Sequence, residues 1–229
     1  MTHFSLIVPV LDEAAQIQQR LEPLQDLRQC GHEVIVVDGG SVDGSLPLAQ
    51  SLADRILTVA RGRARQMNAG ARVASNEWLL FLHLDTELPE SAAQIMANDI
   101  AVSGREWGWF DVQLANPGWP YRVIAWHMNR RARLTRVCTG DQALFVRRCC
   151  FEALGGFPDL PLMEDVALSK RLRRRSAPLV LSAPVTTSAR RWEQHGVLRT
   201  VLLMWRLRLL YWLGVSPERL VNHYYPRRP

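Results

Sequence analysis

The chain has 229 residues, 48% of them hydrophobic and none in a low-complexity tract. That is enough for one α/β domain with a sizeable core, and it excludes a disordered or fibrous protein. The net charge of +6 comes almost wholly from arginines gathered at 130–136, at 171–175 and towards the C-terminus; this suits phosphates, nucleic acids or an anionic membrane surface without choosing among them.

The four cysteines (Cys30, Cys138, Cys149 and Cys150) form no CxxC pair and no metal-ligand spacing. Two are adjacent and poorly placed for a structural disulfide, so a reducing cytoplasm is the expected compartment. The first residues enter a strand at once, without the basic-then-apolar pattern of a signal peptide.

Residues 4–10 (FSLIVPV) read as a buried strand. Apolar positions then recur at helical spacing through Ile17, Leu21, Leu24 and Leu27 until Gly31 stops the helix. Residues 33–37 (EVIVV) make a second strand. A third near 55–59, a helix over 63–74 and an unbroken apolar run at 78–82 (WLLFL) repeat the alternation. Three rounds of strand and helix predict an α/β fold on a mostly parallel sheet with right-handed crossovers. A run without polar alternation suits a strand buried on both faces. Further on, a helix is expected over 89–102, an alternating strand over 106–115, a turn at Asn116-Pro117-Gly118, and a helix over 121–134. The basic last turns of that helix are favourable against its dipole, which accounts for part of the arginine cluster. A polar turn at 139–142 enters an apolar strand, and Glu164-Asp165 opens a helix that buries Val166, Leu168 and Leu172.

Chemistry is expected where these strands end. The run at 78–82 leads into His83-x-Asp85-x-Glu87, which places ionisable groups in the crevice where open α/β sheets bind ligands. A carboxylate there can hold a hard divalent cation that neutralises phosphates; alternatively Asp85 caps the helix starting near Pro89. Asp38 closes the second strand, where an acid commonly accepts hydrogen bonds from a ribose or a base, and Gly39 and Gly40 leave room for a ligand to approach the backbone. The plain alternative for this loop is Asp43 or Ser45 as a helix N-cap. Neither GxGxxG nor GxxxxGK[ST] occurs, which disfavours a dinucleotide-binding domain and excludes a P-loop.

Ile7-Val8-Pro9-Val10-Leu11-Asp12-Glu13, the stretch Val36 to Ser45, the stretch Gly62 to Gly70, and His83-Leu84-Asp85 together resemble the nucleotide-binding half of the family 2 glycosyltransferases, inverting enzymes with a GT-A fold. Two departures are visible: Pro-x-x-Asp-Glu stands for the usual Pro-x-x-Asn-Glu, and histidine occupies the first acidic position of the Asp-x-Asp metal motif. The resemblance continues through Thr139-Gly140-Asp141-Gln142 and is most specific at Gly155-Gly156-Phe157 followed by Glu164-Asp165.

The resemblance implies a role for each matching position. Pro9, Leu11 and Glu13 would line the nucleoside pocket, Asp38 and Gly39 would meet the base or ribose, and the segment Arg61 to Gly70 would run past the nucleotide, with one or more of Arg61, Arg63 and Arg65 on a diphosphate or a stacked base, which the planar guanidinium suits. Asp85 would hold a divalent metal, Mn2+ or Mg2+, with His83 either touching the nucleotide or simply packed. Gly140, Asp141 and Gln142 would lie near the donor sugar and the acceptor entrance. Asp165 would be the general base, oriented by Glu164; the alternative is that both merely favour the helix dipole. Arg190, Arg191 and Trp192 would close over the diphosphate, with His195 approaching the metal. The implied activity is inverting transfer of a sugar from a nucleotide sugar, a UDP-sugar by default, to an acceptor hydroxyl. Residues 1–102 would form the nucleotide half, 103–195 the acceptor half and 196–229 a helical extension. Within the family the chain resembles compact bacterial members, some of them associated with arsenosugar biosynthesis.

The apolar, aromatic stretch 197–215 is interrupted by Arg199, Arg206 and Arg208, each costing roughly 2.5–3.5 kcal/mol near a bilayer centre, so a transmembrane span is rejected. It lies in the membrane interface with Trp205 and Trp212 as anchors, at the inner face of the membrane, or it packs on its own domain or on a second copy in a homodimer. Rival functions are a non-catalytic nucleotide- or sugar-binding protein of the same fold and a nucleotidyltransferase, which would release pyrophosphate from a nucleoside triphosphate. No nucleic-acid partner is expected, because the arginines sit at helix ends instead of forming one stripe with interleaved aromatics.

Overall fold

A computed structural model describes residues 2–224. β1 (Phe4–Val10) and β2 (Glu33–Asp38) are almost wholly buried and pair in parallel from Ser5–Glu33 to Val10–Asp38. β3 (Arg55–Thr58) flanks β2, and β4 (Trp78–Phe81), buried at every residue, flanks β1; both pairings are parallel. The intervening α1 (Ile17–Leu21), α2 (Gln25–Gln29), α3 (Ser45–Ala49) and α4 (Arg63–Val73) complete the alternation. The single helix expected over 17–27 is divided: Pro23 has no N–H to give, and Glu22–Leu24 tighten into a 3-10 turn between α1 and α2.

Successive strand residues face opposite sides, and both sides are covered. Leu6, Val8 and Val36 pack with Ile17 and Leu21 on one face, while Ile7, Ile35 and Val37 pack with Met67 and Ala71 on the other. α4 lies close because Gly70 has no side chain; a Cβ there would stand 2.5 Å from Ile7 Cγ2.

The second half reverses direction. After β5 (Thr86–Glu87), α5 (Ala92–Ser103), β6 (Trp107–Leu114) and α6 (Trp119–Thr135), β7 (Phe145–Arg147) enters antiparallel to both β4 and β6. α7 (Arg148–Ala153) and α8 (Glu164–Arg175) precede β8 (Leu179–Thr187), which is parallel to β6 and carries β5 on its outer side. The sheet therefore runs β3-β2-β1-β4-β7-β6-β8-β5, a mixed sheet with four parallel pairings among its seven. β8 was not legible in the sequence. Its pairing with β6 shifts between Phe110–Leu181 and Asp111–Pro184, and the proline is tolerated at that irregularity.

α9 (Arg190–His195), α10 (Val197–Trp212) and α11 (Pro217–Tyr224) follow; residues 225–229 of the expected extension lie outside the described residues. α10 packs one face on its own domain, burying Thr200 and Leu207 and setting Val197 and Val201 against Ile124. No helix among the described residues is long and apolar enough to cross a membrane.

Candidate active site

Parallel pairing brings the carboxyl ends of β1, β2, β3 and β4 to one edge of the sheet. Because β7 runs antiparallel to β4, the turn before it returns to that edge, and the Phe81 N–H donates to the Leu144 carbonyl at 2.9 Å. β8 ends there as well, with the Ser188 N–H donating to the Asp85 carbonyl at 3.1 Å. Segments up to a hundred residues apart in sequence thus meet for topological reasons alone.

The loops after β1 and β2 hold each other. Asp12 N–H donates to Ser41 Oγ, Glu13 N–H to Ser45 Oγ and Ala14 N–H to Asp43 Oδ2, each at 2.8 Å. Asp43 also accepts from the Ser45 N–H as α3 begins, but neither residue is the expected N-cap: Gly44 holds that position without a side-chain cap, and Asp43 and Ser45 instead hold Ala14 and Glu13 of the facing loop. Asp38 serves its own turn. Its carboxylate accepts from the Gly40 and Ser41 N–H groups and from the Ser41 hydroxyl, and it is fully buried. In this conformation it shapes the loop and is not presented to a ligand. Gly39 is packed against the Gln66 amide, whose nitrogen donates to the Val10 and Val37 carbonyls at 2.8 Å and ties the ends of β1 and β2 together.

A cavity of about 900 Å³ opens at this edge. Pro9, Leu11 and Glu13 form one side, Arg61, Arg63 and Arg65 a second, and the 159–162 loop with Glu164 a third; Glu218 and Val221 of α11 also line it. Pro9, Leu11, Glu13, Arg63 and Arg65 of the residues expected at the nucleoside and diphosphate are therefore together, whereas Asp38, Gly39, Arg190, Arg191 and Trp192 do not line this cavity. Arg65 is engaged with Asp159, donating from Nε to both carboxylate oxygens at 2.9 and 3.0 Å, so an incoming anion would compete with that carboxylate. Asn68 orders the facing loop. Its amide donates to the Phe157 carbonyl and accepts from the Phe157 N–H, and a Cβ on Gly156 (φ +71°) would sit 2.6 Å from its Oδ1.

The carboxylates converge beside this cavity. Asp165 Oδ2 accepts the Gly140 N–H at 2.7 Å, which anchors the first turn of α8 to the turn before β7. His83 packs against Gly140, where a Cβ would clash with the imidazole Cε1 and Nε2, and its Nδ1 is 3.6 Å from Asp141 Oδ1. That separation is an electrostatic contact, longer than a hydrogen bond. Burial would raise the Asp141 carboxyl, but His83, Arg63 and Arg131 together hold it below its ordinary value. Glu164 behaves oppositely. Burial and the adjacent Asp165 push it from 4.5 up to about 7, against the opposing charges of Arg63 and His83. Gln142 is fully buried and completes a capping box with Thr139. Three of the four non-glycine residues with positive φ among the described residues, Asp12, Ala143 and Met163, adjoin these motifs. Such strain concentrates where a fold is held for function.

Arg131 is a site residue the sequence reading placed only in a basic helix end. Its Nε and Nη2 are shut off from solvent with no hydrogen-bond partner among the described residues, and Asp165 and Asp141 supply nearby negative charge. It falls seven residues after buried Ile124, on the inward stripe of α6, and that spacing was the available signal. Tyr211 of α10 was also missed. Burial and the charge of Asp165 raise its hydroxyl, and the Lys170 ammonium lies 4.6 Å from its ring centre.

Asp85 stands at the end of the β4 extension, half-buried, and its carboxylate makes no hydrogen bond within the described residues. Among those residues no group of three or more His, Cys, Asp or Glu could hold a metal ion. One free carboxylate fits a hard cation that takes its remaining ligands from a diphosphate and water, and does not fit an all-protein cage. Arg191 is engaged elsewhere: its Nη2 donates to the Tyr224 carbonyl at 2.9 Å and its guanidinium stacks 3.6 Å from the Tyr224 ring centre. Trp192 packs in the cluster with Leu114 and Ile124, Arg190 is exposed, and His195 is exposed beside the Arg191 carbonyl.

A sheet of this order, with its loops gathered on one edge around a cavity and a pair of carboxylates, defines the GT-A class of α/β fold. The chain belongs to the glycosyl transferase family 2, whose description matches residues 5–152. It is 30% identical over 168 residues to a "PGL/p-HBAD biosynthesis glycosyltransferase" of Mycobacterium tuberculosis strain H37Rv and to its Mycobacterium bovis counterpart, covering 67% of this chain and 62% of each relative. The chain thus spans somewhat under two thirds of those relatives' length. Among solved structures it is similar to Staphylococcus aureus TarS 1–349 in complex with UDP (TM-score 0.66, 20% identity, 82% of this chain and 60% of that one). It is also similar to the mannosyltransferase PcManGT of Pyrobaculum calidifontis in complex with GDP-Man and Mn2+ (TM-score 0.59, 21% identity, 81% and 56%).

Proposed function

We propose that this chain transfers a sugar from a nucleoside diphosphate sugar to an acceptor hydroxyl with inversion at the anomeric carbon. The observation that carries this reading is the placement of Asp165, held by the Gly140 N–H, next to a cavity lined by Pro9, Leu11, Glu13 and Arg63 in a family 2 chain. Residues 1–102 would supply the donor half, 103–195 the acceptor half. The donor complexes of TarS and PcManGT support a nucleotide-sugar ligand of this kind.

The chemistry follows from the parts. Asp165 takes the proton of the acceptor hydroxyl as its oxygen attacks the anomeric carbon, and the bond from that carbon to the diphosphate oxygen breaks on the opposite face. One displacement inverts the centre, and no second carboxylate nucleophile is required. Arg63 offers its charge to the departing diphosphate, and Asp85 would hold Mn2+ or Mg2+ against it. Such a cation, when bound, neutralises the charge that develops on the leaving group. Arg131 sets the field around Asp165 and Asp141. Four free cysteines, two of them exposed, support a cytoplasmic setting. The arsenosugar association of the compact bacterial members assigns no acceptor to this chain.

The direct test is release of nucleoside diphosphate from a panel of UDP- and GDP-sugars with Mn2+, with water as surrogate acceptor. Turnover of one donor, lost on Asp165→Asn, is expected; binding of donors with no turnover under any condition would favour the non-catalytic alternative.

Glu164 makes a separate prediction. Its pKa is higher in the folded than in the unfolded chain, so the folded state holds this proton more tightly. The stability it contributes is complete below about pH 4.5 and is lost as pH rises to about 7. Glu164→Gln should therefore stabilise the protein near neutral pH and above by up to about 3 kcal/mol, with the gap closing in acid. Urea unfolding of both proteins across that range checks it; a gap independent of pH would contradict it.

A further inference from the structure

α6 and α10 share one small apolar cluster through Ile124, Tyr121, Val197 and Val201, and each keeps a second apolar stripe that is largely exposed and joins none of the apolar clusters of the described residues. On α10 the stripe is Leu198, Leu202, Trp205, Leu209 and Trp212, exposed by 79, 67, 67, 56 and 76%. On α6 it begins Trp119, Val123 and Trp126, exposed by 74, 44 and 55%, and continues into Arg130, whose guanidinium lies over the Trp126 ring. Each repeats at three- and four-residue intervals, as one face of a helix requires. Four of the eight tryptophans of the chain therefore stand in water on two neighbouring helices.

Charge identifies the occupant. Neither helix contains a single Asp or Glu, while Arg122, Arg130, Arg199 and Arg206 are exposed beside the stripes. A symmetric dimer would set this surface against itself, arginine against arginine with no acid to answer it. An anionic bilayer answers both components, because indole rings favour the lipid–water interface and arginines reach its phosphates along their apolar stems.

We propose that the paired outer faces of α6 and α10 form a docking surface for an anionic lipid bilayer, with Trp119, Trp126, Trp205 and Trp212 inserted at headgroup depth and the flanking arginines on lipid phosphates. This surface is independent of the transfer reaction. The proposed general base lies elsewhere, although α6 carries Arg131 and α10 carries Tyr211 on their inner sides.

The test is flotation of the full chain with vesicles of phosphatidylcholine alone and of phosphatidylcholine with phosphatidylglycerol, together with tryptophan emission. Binding is expected only to the anionic vesicles, with a blue shift and with weakening as salt is raised. Trp205→Gln with Trp212→Gln, and separately Arg199→Glu with Arg206→Glu, should each weaken partitioning at least about tenfold at unchanged melting temperature. The exposed arginine pair keeps the test meaningful if the tryptophan variant folds poorly. Failure to bind anionic vesicles at low salt would overturn the proposal, as would binding indifferent to both variants. So would a concentration-dependent dimer in sedimentation equilibrium that the same substitutions dissolve.

Discussion

Asp165→Asn is expected to lower turnover of the donor by about 10²- to 10⁴-fold, the usual contribution of a positioned general base. The amide oxygen can still accept the Gly140 N–H that Asp165 Oδ2 accepts at 2.7 Å, and only the local bond from the Val166 N–H to Oδ1 is lost, so the turn of α8 and the cavity should survive. Donor affinity should therefore change little while the rate falls. This separation matters because Asp165 also sits in the first turn of a helix, where a carboxylate is stabilised by the dipole whatever its chemistry. A residue that only favours the helix would lose a fraction of a kcal/mol in stability and leave turnover intact. Steady-state release of nucleoside diphosphate, with donor binding and thermal melting on the same samples, distinguishes the two; wild-type turnover in the variant would refute the role of base.

Gly140→Ala is expected to cost about 10²-fold in turnover through misplacement alone, since no ionisable group is removed. Its new Cβ would stand 2.2 Å from His83 Cε1, and the ring or the turn has to move. Displacing the ring breaks the approach of His83 to Asp141; displacing the turn withdraws the N–H from Asp165. Because cavity residues such as Pro9 and Glu13 are on other loops, nucleotide binding should persist. Turnover and binding measured together check this, and a fully active variant would show that the turn does not position the carboxylates.

The parallel half of the sheet was legible because its strands are continuous apolar runs separated by helical spacing, and β1, β2 and β4 are buried accordingly. The return strand β8 was not, because Pro178, Ser182 and Pro184 interrupt the pattern at a shift in pairing. At the site, local motifs indicated which segments meet: Pro9, Leu11, Glu13, Arg63 and Glu164 line one cavity. What motif reading missed is the competition for side chains that only folding reveals. Asp38 is fully occupied by its own turn, Arg191 by Tyr224, and Arg65 by Asp159. Contributions from α11, where Glu218 and Val221 close the cavity, had no local signal at all, since an exposed turn of helix reads the same wherever it docks.

On the proposed function, a nucleoside diphosphate binds at this edge of the sheet with a cation held by Asp85. Calorimetric titration of UDP and GDP into the wild type and into Asp85→Ala, with and without Mn2+, tests it most directly. Binding of at least one nucleotide is expected, strengthened by Mn2+ in the wild type and indifferent to it in the variant. A folded wild type that binds neither nucleotide, or binding whose Mn2+ dependence survives Asp85→Ala, would contradict it.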